Sequence, residues 1–456
     1  MRTVTRRTFL EMSAAATGAA ALSGLAQGIT PSRAVRFRKP DEKINMAFIG
    51  SGGRGNDNLG EFYALGENIV ALCDIDKGRL NGAVNKVKER CPDVRAYQDY
   101  RELLAKENDL DAVVVSTPDH MHAACAIAAM KQGCHVYVEK PLVRTVWECR
   151  RFAEVAKACG VVTQMGNNGN GTDGQRRNIE ILKSGILGEV SEIHVTSDRP
   201  IWPQGLDRPE GEDPVPESLN WDGFIGVAPM RPYKKDVYHP FKWRGWFDFG
   251  TGAMGDIACH AMSFFFRGLD LRETLAAETV KTTPKFRETY PAATTVKMTV
   301  RCGRQDKPVT IYWHDGNTKP SPDMLPDKIK ASYGEQAGGT IIIGKDAMYA
   351  NGAISLAGED KFKGIAQHAA TKDLPQTLPR VKNHHWDFAE AVRGGKDRPL
   401  SDYDHSVPLT EMVLLGCISQ QVEGELKWDA QSGRFTNSDA ANTLLKPQLR
   451  SGWEIG

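Results

Sequence analysis

The stretch INMAFIGSGGRG, residues 44–55, decides the fold, because it joins a short apolar run to a Gly-x-Gly-x-x-Gly turn that opens a helical segment. In a βαβ unit these glycines let the backbone turn tightly and approach a pyrophosphate, whose charge is met by the helix N-terminus. A glycine-rich turn without a ligand is the alternative interpretation. We expect the turn to bind a dinucleotide through Gly50, Gly52, Gly53, Arg54 and Gly55.

An acidic residue ends the next apolar run, since Asp74 stands nineteen residues after Gly55. A carboxylate at this position accepts hydrogen bonds from ribose hydroxyls and repels a 2′-phosphate. The sequence therefore favours NAD over NADP as the cofactor. NADP stays an alternative, because Arg54 and Lys77 lie close to the same turn in the sequence.

The order of elements predicts two domains of different architecture. Between residues 44 and 165, short β-rich runs alternate with helical segments, which is typical of a Rossmann domain with a doubly wound parallel sheet. From residue 166 to 430 the runs TTVKMTV, PVTIYWH and GTIIIG predict an α+β domain with a large, mostly antiparallel open sheet. The fold class is therefore α/β, and residues 431–456 are assigned to a C-terminal tail.

The N-terminal residues have the pattern of an export signal. Residues 5–10 read TRRTFL, a twin-arginine pattern, and a weakly hydrophobic, Ala-rich stretch follows at residues 12–26. We predict a twin-arginine (Tat) signal peptide and linker at residues 1–33, with the Tat export machinery as a partner and the periplasm as the destination. A short disordered or helical tail is the alternative.

Composition excludes several classes of partner. The 58 Lys and Arg residues balance the 57 Asp and Glu residues, and a net charge of +1 offers no electrostatic footprint for nucleic acid. Beyond residue 30 no apolar run approaches the ~20 residues that span a bilayer, so we expect a mature form that is not embedded in a membrane. The nine cysteines contain no Cys-x-x-Cys pair and lie mainly in apolar segments, which indicates buried free thiols.

Three further motifs carry a resemblance to a known family. STPDHMH at residues 116–122, CHVYVEKPL at residues 134–142 and GDIACH at residues 255–260 follow the glycine turn in that order. With them the chain resembles the Gfo/Idh/MocA oxidoreductases from Ile44 to about Cys417, although Asp119 stands where many members carry Asn. The resemblance implies a nicotinamide-dependent oxidoreductase that acts on a hydroxyl of a sugar or glycoside. It also implies a homodimer or homotetramer joined through the open sheet.

Strand ends of the first domain supply the rest of the predicted cofactor site, since ligands of doubly wound sheets bind beyond the carboxyl ends of the strands. The resemblance puts Lys140 beside the nicotinamide and the reacting hydroxyl, where an ammonium group stabilises a developing alkoxide. The further candidates for cofactor binding are Thr117, Pro118, His122, Glu139 and Lys140.

A carboxylate and an imidazole complete the catalytic candidates. Asp256 and His260 are four residues apart, so on a helix they share one face and the carboxylate can orient the ring. Histidine is the side chain best suited to proton exchange near neutral pH. The resemblance assigns His260 as the acid/base for the substrate hydroxyl and Asp256 as its orienter or as a substrate ligand, beside Lys140. A solvated Asp–His pair is the alternative.

Aromatic residues cluster between residues 199 and 246 among hydrogen-bonding side chains. Aromatic faces beside polar groups suit a pyranose, whose ring has apolar C–H faces and a polar rim. His120 and His122 alternate as strand-like metal ligands would, but the sequence has no zinc-binding spacing. We therefore predict no metal site. The candidates for substrate binding are Asn167, Arg176, Trp202, Tyr238, Trp243 and Arg244.

Two alternatives to a simple oxidoreductase stay open, and the first of them follows from the predicted export. An exported enzyme has no pool of free NAD, so we expect a tightly held cofactor that is reset by a second substrate or within each turnover. Some members of the family cleave glycosides by transient oxidation and elimination, which makes a redox-neutral hydrolase or lyase one alternative. A non-catalytic nucleotide-binding sensor is the other, and the intact Lys140, Asp256 and His260 argue against it.

Overall fold

The computed structural model describes residues 29–335, 337–395 and 397–455. The twin-arginine stretch at residues 5–10 lies outside these residues. Within the described part of the chain, no helix is long and apolar enough to cross a membrane. All nine cysteines are free thiols, and eight of them are buried.

The first sheet has six parallel strands in the order β3-β2-β1-β4-β5-β6, which is the doubly wound arrangement that the sequence predicts. The strands are β1 Asn45–Ile49, β2 Asn68–Cys73, β3 Arg95–Tyr97, β4 Ala112–Val115, β5 His135–Val138 and β6 Thr163–Met165. The helices between them are α1 Arg54–Ala64, α2 Lys77–Val87, α3 Tyr100–Lys106, α4 Asp119–Lys131 and α5 Val146–Cys159. Helices cover both faces, so β4 and β5 are buried along their whole length.

The second sheet has ten strands in the order β14-β13-β12-β11-β7-β10-β9-β8-β15-β16. Its pairs are antiparallel except for β7 with β10. The strands are β7 Val190–Thr196, β8 Leu271–Thr282, β9 Thr294–Cys302, β10 Val309–His314, β11 Thr340–Gly344, β12 Ala347–Ala350, β13 Ala353–Leu356, β14 Lys363–Gly364, β15 Leu426–Asp429 and β16 Arg434–Phe435. Together the two sheets confirm the predicted α/β class.

Seven further helices accompany the second sheet among the described residues. Three of them, α6, α8 and α11, pack against one another, and α8 and α11 also pack on the sheet. The seven are α6 Asp173–Lys183, α7 Trp221–Ile225, α8 Gly252–Gly268, α9 Asp327–Tyr333, α10 His384–Val392, α11 Tyr403–Ser419 and α12 Asp439–Thr443.

Helix α10 crosses the predicted division between the domains. Its Phe388 ring lies 6.0 Å from the ring of Phe62 and 5.9 Å from that of Tyr137, so it joins the apolar layer on one face of the first sheet. The segment belongs by sequence position to the range 166–430, but its apolar face is buried against the nucleotide-binding half of the molecule.

The glycine turn depends on a close approach between two backbone segments. A Cβ atom at Gly55 would lie 1.9 Å from the carbonyl oxygen of Gly50, and a Cβ at Gly50 would lie 2.6 Å from the carbonyl oxygen of Ser116. Gly50 and Gly53 also have positive φ angles of 83° and 50°. Gly55 therefore serves to bring helix α1 onto the turn, and it does not line the cavity described below.

We expect Gly55→Ala to lower the free energy of unfolding by about 1–3 kcal/mol and to reduce the nucleotide that copurifies, because the new methyl group meets rigid backbone. Gly82→Ala is the matched control. Gly82 lies in helix α2 with nothing near its missing Cβ, so alanine there should raise stability by about 0.5–1 kcal/mol. Urea denaturation of both variants checks this, and an unchanged midpoint for Gly55→Ala would contradict it.

Candidate active site

A cavity of about 380 Å³ lies beyond the carboxyl ends of strands β1, β2, β4 and β5. This is the position at which open α/β sheets bind their ligands. Both domains contribute to its walls. The predicted residues that line it are Gly50, Gly52, Gly53, Arg54, Asp74, Thr117, Pro118, Glu139, Lys140, Trp243 and Arg244.

The first turn of helix α1 faces this cavity as an anion-binding end. Gly53 is the N-cap residue, and no side chain caps the helix, so the positive end of the helix dipole is open. The glycines leave room for close approach, as expected for a pyrophosphate. The backbone therefore fits the middle of a dinucleotide.

Asp74 follows strand β2 and fits the ribose of the adenosine half. Its carboxylate is 2.9 Å from the backbone N–H of Ser51 and 3.1 Å from that of Gly52, both of which donate to it. Burial raises the pKa of Asp74, and backbone donors oppose that rise. The same carboxylate thus braces the glycine turn and lines the cavity.

Lys140 and Asp256 meet at the other end of the cavity. Lys140 Nζ donates to Asp256 Oδ1 and to the backbone carbonyl of Asp256, both at 2.8 Å. Arg244 Nε donates to the same Oδ1 at 3.2 Å. Burial alone would raise the pKa of Asp256, but Lys140 and Arg244 hold it below its usual value. The buried Asp256 carboxylate thus forms ion pairs with both Lys140 and Arg244, and two of these three residues, Lys140 and Asp256, are predicted to be catalytic.

His260 lies one turn farther along helix α8 from Asp256, and neither residue is among those that line the cavity, so both stand behind Lys140. Burial lowers the pKa of His260 to about 4, and the Lys140 charge adds to this, so the ring is neutral near pH 7. Among the described residues, Asp256 gives its carboxylate to Lys140 and Arg244 and makes no hydrogen bond to His260. The described part of the chain thus has no hydrogen bond by which Asp256 would orient this ring, and the other half of the prediction, that Asp256 is a substrate ligand, stays a prediction. Two cations outcompete a neutral imidazole for one carboxylate.

Glu139 fixes the surroundings of Lys140. Its Oε1 accepts from Arg54 Nε at 3.1 Å and from Asn58 Nδ2 at 2.9 Å, while Oε2 accepts from the backbone N–H of Lys140 at 3.3 Å. A Cβ at Gly166 would lie 2.7 Å from this carboxylate. Glu139 therefore links the glycine turn to the strand end that carries Lys140.

The structure gives His122 a supporting role instead of the predicted contact with the cofactor. Its Nδ1 lies 2.8 Å from the carbonyl oxygen of Pro141, and its Nε2 lies 2.9 Å from that of Thr117. The ring is 1% exposed and does not line the cavity. It joins the two loops that do.

Four predicted substrate residues do not line the cavity, and each contacts other parts of the protein. Arg176 donates to the carbonyls of Asn170 and Pro379 and to the carboxylate of Asp387. Tyr238 is 1% exposed within an aromatic cluster. Trp202 Nε1 donates to Gln204, and Asn167 Nδ2 donates to the carbonyl of Cys259.

Sequence reasoning missed several lining residues that reach the cavity from distant parts of the chain. Asp119 is 2% exposed and accepts a hydrogen bond from the Thr251 hydroxyl at 2.7 Å, and burial raises its pKa. For Trp453, the only feature of the sequence that could have indicated a binding role is its aromatic side chain within the predicted tail. The missed residues include Asp119, Tyr100, Phe224, His239, Phe241 and Trp453. Within the described residues, no group of three or more His, Cys, Asp or Glu could hold a metal ion.

The fold and the cavity define a protein with a Rossmann nucleotide-binding domain and a second domain built on a large open sheet. The sequence model described as the oxidoreductase family, NAD-binding Rossmann fold, matches residues 44–167. The model of the family's C-terminal α/β domain matches residues 180–284 and 306–455. The chain therefore belongs to the Gfo/Idh/MocA oxidoreductase family.

Similarity to individual proteins adds detail. A glycosyl hydrolase family 109 protein of Shewanella baltica is 31% identical over 207 residues, which are 42% of this chain and 45% of that protein. The chain thus spans about half the length of the curated relatives that it matches.

Two solved structures share the fold at low identity. The WlbA dehydrogenase of Bordetella pertussis, in complex with NADH and UDP-GlcNAcA, has a TM-score of 0.58 and 16% identity over 85% of this chain and 98% of that chain. An inositol dehydrogenase homologue of Azotobacter vinelandii, with NADH and myo-inositol, has a TM-score of 0.54 and 18% identity over 87% and 100% of the respective chains.

Proposed function

We propose that the protein uses NAD, held in this cavity, to oxidise a hydroxyl-bearing carbon of a sugar or glycoside. The observation that carries the proposal is the position of Lys140. Its Nζ is held on Asp256 at the end of the cavity opposite Asp74, next to the aromatic wall of Trp243. When bound, the nicotinamide supplies the acceptor for a hydride.

The chain's own residues supply the proton chemistry. The ammonium of Lys140 is positioned to donate a hydrogen bond to the reacting hydroxyl and to stabilise the alkoxide that develops there. His260 is neutral near pH 7, so its ring can accept the hydroxyl proton. Asp256 holds Lys140 in place, and Arg244 in turn holds the Asp256 carboxylate. Phe241 and Trp243 give this end of the cavity an aromatic wall.

The walls near Lys140 support a carbohydrate substrate. The Arg244 guanidinium carbon lies 4.3 Å from the ring centre of Trp243 and 4.6 Å from that of Phe241. Aromatic faces next to a fixed cation match the apolar faces and polar rim of a sugar ring. The solved neighbours with UDP-GlcNAcA and with myo-inositol support the same class of substrate.

We expect Lys140→Met and His260→Ala each to reduce turnover by about 10²–10⁴-fold while leaving the bound nucleotide in place, because they remove proton transfer and alkoxide stabilisation but not the glycine turn. Steady-state rates on a panel of sugars, together with nucleotide released on denaturation, measure both effects. His368→Ala is the control, since His368 is a buried histidine whose ring lies on Glu359 and makes no contact with Lys140 or Asp256 among the described residues. Near-normal turnover of the first two variants would contradict the proposal.

The second candidate function is redox-neutral cleavage of a glycoside, which the similarity to glycosyl hydrolase family 109 favours. In this scheme oxidation of one sugar carbon to a ketone acidifies the neighbouring C–H bond. Loss of that proton expels the aglycone, water then adds, and reduction of the ketone restores the sugar. The nucleotide ends each cycle in its starting state.

Reactions in D₂O separate the two candidates. Redox-neutral cleavage predicts glycoside hydrolysis with deuterium at a ring carbon of the product and no accumulation of reduced nucleotide, because the acidified C–H bond exchanges with solvent. Mass spectrometry and nucleotide absorbance measure these outcomes. An oxidised product that keeps its glycosidic bond and carries no deuterium, together with reduction of the bound nucleotide, would exclude cleavage and support the oxidoreductase.

We further propose that the Arg6–Arg7 pair directs the folded protein through the Tat route to the periplasm, and that it forms a homodimer or homotetramer through the open sheet. The nine unpaired thiols support folding in a reducing compartment before export. Light scattering of the purified protein tests the oligomer.

Replacement of both Arg6 and Arg7 by Lys should leave a folded, nucleotide-loaded protein in the cytoplasm, because the export machinery reads the arginine pair. Cell fractionation followed by nucleotide analysis measures this. Arg2→Lys, which leaves the pair intact, is the control and should be exported normally. Equal export of the double variant and the wild type would contradict the proposed signal.

A further inference from the structure

The C-terminal residues 444–455 return from the second domain to the first instead of forming a tail. The carbonyl of Leu445 accepts from the N–H of Trp147 at 2.9 Å, and the N–H of Arg450 donates to the carbonyl of Val227 at 3.1 Å. The carbonyl of Gly452 accepts from Arg101 Nη1 at 3.3 Å. This C-terminal segment is therefore fixed to both halves of the molecule.

Trp453 is the residue of this segment that reaches the cavity. It is 7% exposed, and the guanidinium carbons of Arg101 and Arg450 lie 3.9 Å and 5.1 Å from its ring centre. The ring of Tyr100 lies 6.4 Å away. Two cations near one indole hold the ring in a fixed orientation. Trp453 and Tyr100 both line the cavity.

The part of the cavity next to Trp453 is the adenosine end. In a Rossmann domain the carboxylate that follows the second strand marks the ribose of that half, and Asp74 has this position. The lining residues beyond it are mainly apolar, as an adenine ring requires. They are Ile75, Gln98, Asp99, Tyr100, Met121, Cys125 and Trp453.

A second element of the C-terminal domain covers the same end. The N–H of Asn220 donates to the carbonyl of Ile75 at 2.8 Å, and the N–H of Lys77 donates to the carbonyl of Ser218 at 2.9 Å. Directly after this contact, Gly223 and Phe224 line the cavity. Residues 218–224 thus cross the strand end that carries Asp74, opposite the C-terminal segment.

We propose that Trp453 and residues 218–224 enclose the adenosine half of NAD, so that the nucleotide stays bound through successive turnovers. Trp453 is then a cofactor-binding residue supplied by the C-terminal domain, and release of NAD requires the C-terminal segment to detach. The inference rests on the proposed function for the occupant of the cavity. Each oxidation of a sugar carbon must then be balanced in the same site by reduction of a second substrate or of the same sugar.

The test measures how fast bound nucleotide leaves the full-length protein. Nucleotide per chain is counted after denaturation, and the displacement rate is followed with an excess of fluorescent etheno-NAD. We expect Trp453→Ala to raise the displacement rate by about ten-fold or more, since it removes an aromatic wall next to the base. Trp453→Phe, which keeps a ring, should restore slow displacement.

Trp428→Ala is the matched control. Trp428 is 6% exposed and has the Arg150 guanidinium carbon 5.3 Å from its ring centre, but it does not line the cavity. Its displacement rate should equal that of the wild type. Arg101→Ala tests the same contact with a substitution at a half-exposed side chain. It should also speed nucleotide displacement, because Trp453 loses the guanidinium that packs on its ring.

Equal displacement rates in the wild type, Trp453→Ala and Arg101→Ala would overturn the inference. Equal increases in Trp453→Ala and Trp428→Ala would overturn it as well, because they would report general destabilisation. Sugar turnover of the wild type is measured in parallel. Fast nucleotide exchange with intact sugar oxidation refutes only the enclosure, whereas slow exchange without any sugar turnover refutes only the proposed function.

Discussion

The Asp256 carboxylate, shared by Lys140 and Arg244, is the interaction on which the rest of the site depends. It joins the strand end of the first sheet to helix α8 of the second domain and to the loop before it. A buried carboxylate is stable only while its cations are present, and each cation is held in turn by the carboxylate. The domains therefore meet at an electrostatic junction at the end of the cavity that Lys140 lines.

The second half of the chain contributes to the first domain at three more places. Residues 218–224 hydrogen-bond to the segment after β2, helix α10 packs against Phe62 and Tyr137, and the C-terminal segment binds Arg101. Domains joined by a small polar interface are expected to move relative to one another. Here two of the three contributors, residues 218–224 and the C-terminal segment, also line the cavity. A movement of the two domains would therefore change the walls of the nucleotide site.

Much of the fold and the centre of the site could be predicted from local patterns. The roles of the glycine turn and Asp74 follow from neighbouring residues in the sequence, and that of Lys140 from the family resemblance. The structure brings all three to one cavity, with Asp256 hydrogen-bonded to Lys140. Residue type could not reveal that Arg176 forms an ion pair with Asp387, because the two residues are distant in sequence. It also could not reveal that other aromatic rings enclose Tyr238. Trp453 was missed for the same reason, since only the tertiary fold returns it to the first domain.

The late position of the C-terminal segment has a consequence for biosynthesis. The glycine turn emerges from the ribosome early, but the adenosine end of the cavity gains its last wall only when residue 453 has been made. The complete nucleotide site is therefore assembled only after about three hundred further residues have been added to the chain of the first sheet. In a chain that lacks residue 453, the adenosine end of the cavity is an open groove. This end is closed only in a chain that contains residue 453.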